Sequence, residues 1–288
     1  MTASLFRMSF AALTITLTMS TYQQSWAQTS KNQPPSAAEQ GNMLVYAVAW
    51  KQTAAEYKAL YHQAFNIARM RLDEALNKKQ AGEKPLAVIT DIDDTIFNAS
   101  DYWGYLIRND MDFFDDALWD AWVPENKFVA TPGSLDFLNY ADSKDVQIFY
   151  ISNRDQGAKT YEYAIGNLKS LGFPQIDNEH VIIQIETSDK EAVQKKIMEK
   201  YDVVVMLGDN LNDFQRKYYV KNVDERMKLM EEDKDLFGNK FILLPNPTDG
   251  HWIRAIFGDS EPPASAESRK IFRKAAGISA SISTEDKK

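Results

Sequence analysis

The amino-acid sequence predicts an α/β protein in which a parallel β-sheet is covered by helices on both faces. Five short apolar runs have the length and the β-branched content of buried strands. They occupy residues 86–89, 146–151, 181–185, 203–207 and 241–244. Helical patterns separate several of these runs, for example at residues 159–170 and 190–200. Strands that alternate with helices favour parallel pairing with both faces of the sheet buried.

Further helices are predicted on either side of this pattern. Residues 42–76 carry apolar side chains at helical spacing and contain no Pro or Gly, which indicates one or two helices. Thr131-Pro132-Gly133 opens another helix, with Pro132 suited to its first turn. Beyond Gly258 the composition turns to Ser, Pro, Ala and Lys, so we expect a poorly ordered tail over residues 259–288 with a short helix near residues 268–276.

The first residues have the pattern of a secretory signal. Arg7 precedes a moderately apolar stretch at residues 9–19, and Ser25-Trp26-Ala27 supplies the small residues that a signal peptidase reads. A membrane anchor is the alternative, but this stretch is shorter than the roughly 20 apolar residues of a span. We expect residues 1–27 to be a cleaved signal peptide and residues 28–42 to be a linker. The mature protein would be periplasmic or secreted, with no membrane anchor.

Composition excludes several classes of function. The chain has 288 residues, of which 44% are hydrophobic and 26% charged, as in an ordinary globular protein with one substantial core. Its formal net charge of −8 does not suit a binder of nucleic-acid polymers, which need a basic surface. The absence of cysteine excludes disulfides and a lipid-modified N-terminal cysteine. His62, His180 and His251 show no spacing typical of a metal site or a triad, and we interpret them as structural.

The segment after the first strand is rich in aromatic side chains, which lie between residues 102 and 127. Two interpretations remain open. Aromatic side chains bury well, so the segment would suit a helical core, or it would form a lid that stacks on a ring-bearing substrate. For a lid, the candidate substrate contacts are Tyr102, Trp119 and Trp122.

Polar residues at the ends of the predicted strands indicate one functional site. Ligands of an open parallel sheet bind beyond the carboxyl ends of its strands. Those ends, and the turns after them, carry Asp91, Asp93 and Thr95, then Ser152, Asn153 and Arg154, then Lys190, and finally Gly208, Asp209, Asn210 and Asp213. Carboxylates crowded at one strand end repel one another, which is tolerated when a cation or a reacting group takes up their charge.

The acidic turn has two other interpretations. A solvated Asp-rich turn is the simpler one. A calcium-binding EF-hand loop beginning at Asp91 is excluded, because its sixth and twelfth positions would be Ile96 and Tyr102 where Gly and Glu are needed.

The order of these residues resembles the haloacid-dehalogenase (HAD) superfamily, whose first motif Asp-x-Asp-x-Thr is matched by residues 91–95. The bacterial class C acid phosphatases have two signatures, which are similar to residues 95–102 and to the Gly-Asp-Asn-Leu-x-Asp-Phe string at residues 208–214. This class includes 5'-nucleotidases of the lipoprotein e type. The resemblance covers roughly residues 43–258. It implies a Rossmann-like core and a small α-helical cap within about residues 99–130, to which the N-terminal helices also contribute.

The resemblance also implies a role for each site residue. Asp91 would attack phosphorus and form an aspartyl-phosphate, and Asp93 would protonate the leaving alcohol and then deprotonate water. Ser152, Asn153 and Lys190 would bind the substrate, with Lys195 and Lys196 as nearby alternatives to Lys190. A magnesium ion would have the following ligands: Asp91, the backbone carbonyl of Asp93, Asp209, and Asp213 as a ligand or a partner of one.

The chain departs from the class C pattern at Asp94, where Glu is usual, and at Ala99, where Asn or Thr is usual. Neither position is assigned covalent chemistry. We therefore expect a magnesium-dependent acid phosphatase for small phosphomonoesters, most active at mildly acid pH, with nucleoside monophosphates favoured by the aromatic side chains. A phosphotransferase on the same scaffold and a noncatalytic binding or storage protein are the alternatives, and exposed aromatic surface would suit a homodimer.

Overall fold

The protein is described here by a computed structural model that covers residues 41–277. The predicted signal peptide, nearly all of the linker and the last residues of the tail lie outside the described residues. The strands are β1 Leu86–Thr90, β2 Phe97–Asn98, β3 Val129–Ala130, β4 Gln147–Asn153, β5 Val181–Gln184, β6 Asp202–Gly208 and β7 Phe241–Leu243. The helices are α1 Val45–Thr53, α2 Ala55–Lys78, α3 Ser100–Arg108, α4 Asp116–Trp122, α5 Ser134–Asp142, α6 Thr160–Ser170, α7 Glu191–Lys200, α8 Val223–Glu232, α9 His251–Phe257 and α10 Ala266–Ala276.

A five-stranded parallel sheet forms the centre of the molecule, in the order β5-β4-β1-β6-β7. All five predicted strands are present in it. Side chains alternate between two apolar clusters: Leu86 and Val88 pack into one, and Ala87 and Ile89 into the other. This alternation confirms the expectation that both faces of the sheet are covered.

The N-terminal helical pattern resolves into two helices. Ala54 adopts an extended conformation between α1 and α2, which ends the first helix and precedes the second. Helix α5 begins at Ser134, two residues after the Pro132 expected in its first turn, because Gly133, with φ of 88°, is the N-cap. Both helices of the N-terminal pair have buried faces that pack in the larger apolar cluster.

Residues 99–130, where the cap is expected, form α3 and α4. The two short strands β2 and β3 pair antiparallel, with Phe97 opposite Ala130, so they join the two ends of this segment at its base. No sequence signal predicted this ribbon, since strands of two residues are too short to show a period.

The C-terminal segment differs from its prediction. The short helix expected near residues 268–276 is α10, but the segment around it is folded where a poorly ordered tail was expected. Phe272 stacks on Phe113 with 5.6 Å between ring centroids, and Arg269 forms an ion pair with the buried Asp112. An aromatic contact and an ion pair therefore attach this helix to the loop between α3 and α4.

Within residues 41–277, no helix combines the length and the apolar character that crossing a membrane requires.

Candidate active site

The centre of the site is Lys190, which bridges two carboxylates. Its ammonium donates hydrogen bonds to Asp91 and to Asp213, the latter at 2.7 Å from Oδ1. Asp91 follows the central strand β1, and its backbone N–H donates to the carbonyl of Leu207 in β6. Lys190 directly precedes α7, and its side chain is 8% exposed. Lys190 therefore lies among the predicted site carboxylates, and its role in binding the substrate stays a prediction.

The two alternative lysines lie elsewhere. Lys195 and Lys196 are exposed on α7, and Lys195 pairs with Glu191 one turn earlier in that helix. Neither is in contact with the carboxylates that Lys190 joins.

Three carboxylates converge beside Lys190. Oxygen atoms of Asp91, Asp209 and Asp213 lie within 4.8 Å of one another. Thr95 Oγ1 is 3.0 Å from Asp91 Oδ2 and 3.0 Å from Asp209 Oδ1, so the motif threonine connects the ends of β1 and β6. Asn246, after β7, donates to Asp209 Oδ2 at 2.8 Å.

This crowding changes the acidity of the carboxyl groups. Burial raises the pKa of Asp91 to about 7, an increase that the charge of Lys190 opposes and that of Asp213 supports. Burial and the charges of Asp213 and Asp91 raise the pKa of Asp209 well above its usual range. Buried carboxylates that raise one another's pKa form an all-oxygen donor set, and that set suits a hard divalent cation such as magnesium. The residues present therefore fit the metal that the HAD resemblance implies.

A short turn after β6 presents Asp213 to this cluster. The backbone N–H of Asn210 donates to Asp213 Oδ2 at 2.9 Å, and Arg226 in turn donates to Asn210 Oδ1 at 2.9 Å. Gly208 makes room for the turn, because a Cβ at that position would lie only 2.5 Å from the Cβ of Asp213. The Gly-Asp-Asn string thus has a steric reason for its glycine.

Asp93 makes a separate set of contacts on β4. Ser152 donates from Oγ to Asp93 Oδ2 at 3.0 Å, and Arg154 donates two hydrogen bonds to the same carboxylate. Asn153 is exposed between them, and its amide donates to the carbonyls of Gln184 and Thr187. Ser152 therefore lies beside Asp93, and the Arg154 contact was not predicted.

A cavity of about 500 Å³ lies beyond the carboxyl edge of the sheet, and part of the site faces it. Its walls include Asp93, Asp209, Asn153, Phe114 and Trp119. The volume is within the range of pockets that hold small organic ligands, roughly 300–1,000 Å³.

Two of the three predicted aromatic contacts are corrected by the structure. Tyr102 is buried at 1% exposure, and its hydroxyl is satisfied by the backbone N–H of Asp115 at 2.8 Å. Trp122 is buried at 7% exposure and donates from Nε1 to Asp101. Both belong to the apolar core, as the alternative interpretation of the aromatic segment held. Trp119 does line the cavity.

Several residues at the site were missed. Lys51 of α1 pairs with Asp94 at 2.8 Å, a contact for which the sequence carries no signal. Phe114 joins Trp119 in the cavity wall, and Asn246 supports Asp209. Only Asn246 had a sequence signal, because it follows a predicted strand in the same way as the acidic residues do.

The cavity is also bordered by acidic residues from the cap and the C-terminal segment. Burial raises the pKa of Asp249 to about 6, despite a hydrogen bond from the backbone N–H of Gly250. Glu261 is exposed at the rim of the cavity, where partial desolvation and a hydrogen bond with Asp116 raise its pKa to about 8. The raised pKa values of Asp249 and Glu261 mean that these carboxyl groups are still partly protonated near neutral pH.

Comparison with known proteins agrees with the geometry. A family model described as HAD superfamily, subfamily IIIB (acid phosphatase), matches residues 8–252. Two solved structures of the class C acid phosphatase from Bacillus anthracis are similar, each over 80% of this chain and 94% of the other, with a TM-score of 0.74. Sequence identity is 35% to the structure with tungstate bound and 36% to the second structure.

Proposed function

The chain belongs to the acid phosphatases of HAD subfamily IIIB, and we propose that it is a magnesium-dependent enzyme acting on nucleoside monophosphates outside the cytoplasm. As a member of this family it is a phosphoric monoester hydrolase. The observation that carries the proposal is the Lys190 bridge between Asp91 and Asp213, which converge with Asp209. Asp209 and Asp93 in turn line a cavity of substrate size.

In the proposed reaction, an oxygen of Asp91 attacks phosphorus. A phosphorus–oxygen bond to the carboxylate forms while the bond to the leaving alcohol breaks, and Asp93 gives that alcohol its proton. A water molecule then attacks the aspartyl-phosphate, Asp93 takes a proton from it, and Asp91 is regenerated as phosphate leaves. Hydrogen bonds from Lys190 and Thr95 to the two oxygens of Asp91 hold the nucleophile in one orientation.

Asp91, Asp209 and Asp213 are the side chains that would hold magnesium, together with the backbone carbonyl of Asp93. When bound, the ion offsets the negative charge of the phosphoryl group and of the carboxylates. Lys190 supplies positive charge to the same place, and Ser152 lies within reach as a hydrogen-bond donor.

The preference for nucleoside monophosphates rests on the aromatic wall of the cavity. Phe114 and Trp119 lie there with their ring centroids 5.6 Å apart. Stacking of a base on an aromatic side chain contributes about 1–3 kcal/mol. The extracytoplasmic location is supported by the signal-like pattern of residues 1–27.

A phosphate-release screen tests the proposal. The purified protein is assayed at several pH values on nucleoside monophosphates, sugar phosphates and an aryl phosphate, with magnesium, with a chelator, and with magnesium restored. We expect turnover that the chelator abolishes and magnesium restores, with the highest kcat/KM for nucleotides. Turnover that survives the chelator would refute the metal assignment, and a preference for sugar phosphates would refute the substrate assignment. Comparing alcohol consumed with phosphate released separates phosphate transfer from hydrolysis.

A further inference from the structure

We infer that Arg154 is a positioning residue for Asp93, an inference that rests on the proposed phosphatase reaction. Arg154 directly follows β4, and its guanidinium makes two parallel hydrogen bonds to the Asp93 carboxylate. Nε donates to Oδ2 at 2.7 Å and Nη2 donates to Oδ1 at 2.5 Å. A fork of this kind fixes both the position and the plane of a carboxylate, which a single ammonium cannot do.

The guanidinium is itself held by hydrogen bonds that lead to the cap. Its Nη1 donates to Asn167 Oδ1 of α6 at 3.0 Å. The amide of Asn167 then donates to Asn126 Oδ1 at 2.8 Å and to the carbonyl of Val123 at 3.3 Å, both in the segment that follows α4. An unbroken chain of hydrogen bonds therefore connects the cap to Asp93.

Arg154 borders the same cavity as Asp93, but its side chain is shielded from solvent. The Arg154 side chain is 0% exposed, whereas the Asp93 side chain is 23% exposed, so the open edge of the pair belongs to the aspartate. Phe97 and Phe128 lie against the guanidinium, with centroids 5.6 and 5.1 Å away. All three guanidinium nitrogens already have protein acceptors. The buried cation orients Asp93, and Asp93 meets the substrate.

This role predicts a kinetic signature. A leaving group of low basicity departs without a proton, whereas a basic alcohol needs one from Asp93 as its bond to phosphorus breaks. Misplacing a reacting group by about 1 Å can cost about 10²-fold in rate. Loss of the Arg154 fork should therefore slow the hydrolysis of esters of basic alcohols. The hydrolysis of esters of acidic phenols should be nearly unaffected.

The test measures kcat/KM for Arg154→Lys on 2,4-dinitrophenyl, 4-nitrophenyl, phenyl and alkyl phosphates. Lysine keeps the positive charge but removes the fork. We expect a loss of about 10- to 100-fold on phenyl and alkyl phosphates and less than about threefold on the dinitrophenyl ester. Combining Arg154→Lys with Asp93→Asn should add little to the loss caused by Asp93→Asn alone, since both changes remove the same proton donation. An equal loss on every ester, or additive losses in the double variant, would overturn the inference.

A second variant guards against a folding defect. Asn167→Ala removes the acceptor of Nη1 without touching Asp93, and we expect a smaller loss with the same dependence on the leaving group. Ser170→Ala is the matched control, because Ser170 also hydrogen-bonds Asn126 from α6 but does not contact Arg154; it should behave as the wild type. A loss in Asn167→Ala that does not depend on the leaving group counts against the inference. If the wild-type protein hydrolyses none of the esters, the proposed function fails first and the inference with it.

Discussion

The ammonium of Lys51 lies 2.8 Å from the carboxylate of Asp94, with only 1% of the lysine side chain and 10% of the aspartate side chain exposed. Lys51 belongs to α1, and it also donates to Thr248 in the loop after β7. Asp94 stands in the left-handed region, with φ of 53°, and Tyr61 of α2 donates to its carbonyl. The N-terminal helices thus hold the loop that carries Asp91 and Asp93.

Replacing Lys51 by Met should lower the free energy of unfolding by about 3–5 kcal/mol, because the buried carboxylate of Asp94 loses its counterion. Chemical denaturation measures the change. Lys58→Met on α2 is the control, since Lys58 is exposed and the same change there should cost less than about 0.5 kcal/mol. Equal free energies of unfolding for the two variants would show that the Lys51–Asp94 pair contributes nothing to stability.

Replacing Asp91 by Asn should abolish turnover while leaving the fold intact. An amide cannot form the aspartyl-phosphate, and we expect a loss of at least about 10⁴-fold in kcat. Asp136→Asn, on the exposed face of α5, should retain full activity. Phosphate release and thermal unfolding are measured on both variants. Substantial turnover by Asp91→Asn would refute covalent catalysis by this residue.

Gly208→Ala should weaken magnesium binding, because the added Cβ would lie 2.5 Å from the Asp213 Cβ and 2.7 Å from its Oδ2. Displacing that carboxylate disturbs one of the three converging acids. Isothermal titration calorimetry with magnesium measures the effect. Gly166→Ala in α6 is the control: a Cβ there would have no described atom within 4 Å, so the helix should gain up to about 1 kcal/mol with binding unchanged.

The two tryptophans of α4 should respond differently to substitution. Trp119→Leu removes a ring from the cavity wall, so KM for a nucleoside monophosphate should rise about tenfold while KM for glycerol phosphate changes little. Trp122→Ala removes a buried side chain and should instead cost about 3–5 kcal/mol of stability. Steady-state kinetics and denaturation distinguish the two effects. A KM that rises equally for both esters in Trp119→Leu would argue against base stacking.

Glu261→Gln should stabilise the protein at high pH only. The pKa of Glu261 is raised from 4.5 to about 8 in the folded state, so between these pH values the folded protein holds a proton that the unfolded chain releases. The stability that this carboxyl contributes therefore falls as pH rises through that window, and the amide removes the fall. Thermal unfolding should give a higher Tm for the variant at pH 9 and equal values at pH 4. Glu267→Gln, the same change at an exposed position of α10, is the matched control.

The sheet and much of its active edge follow from the sequence because short-range patterns specify them. A short apolar run such as Leu86–Thr90 predicts a buried strand. The carboxyl ends of parallel strands meet at one edge of the sheet. This rule predicts that Asp91, Ser152 and Asp209 lie at one edge, whereas the role predicted for Lys190 came from the family resemblance.

The rest depends on contacts that no local pattern contains. Nothing in the sequence around Lys51 distinguishes it from an exposed helical lysine, and its role appears only when α1 packs beside Asp94. Tyr102, Trp119 and Trp122 share one aromatic segment, and which of them faces the cavity is decided by how α3 and α4 pack. The fold of the segment after Gly258 likewise depends on a partner, Phe113, far away in the chain.

The central position of β1 has a consequence for the order in which the protein becomes active. The strand that carries Asp91 makes its hydrogen bonds to β4 and β6, which are both synthesised later, and the N–H of Asp91 itself bonds to Leu207. Long-range parallel pairing of this kind forms late in folding. A growing chain therefore contains Asp91, the proposed nucleophile, long before the carboxylate cluster is complete. We expect it to stay inert toward phosphate esters until the turn that carries Asp213 has been made and folded.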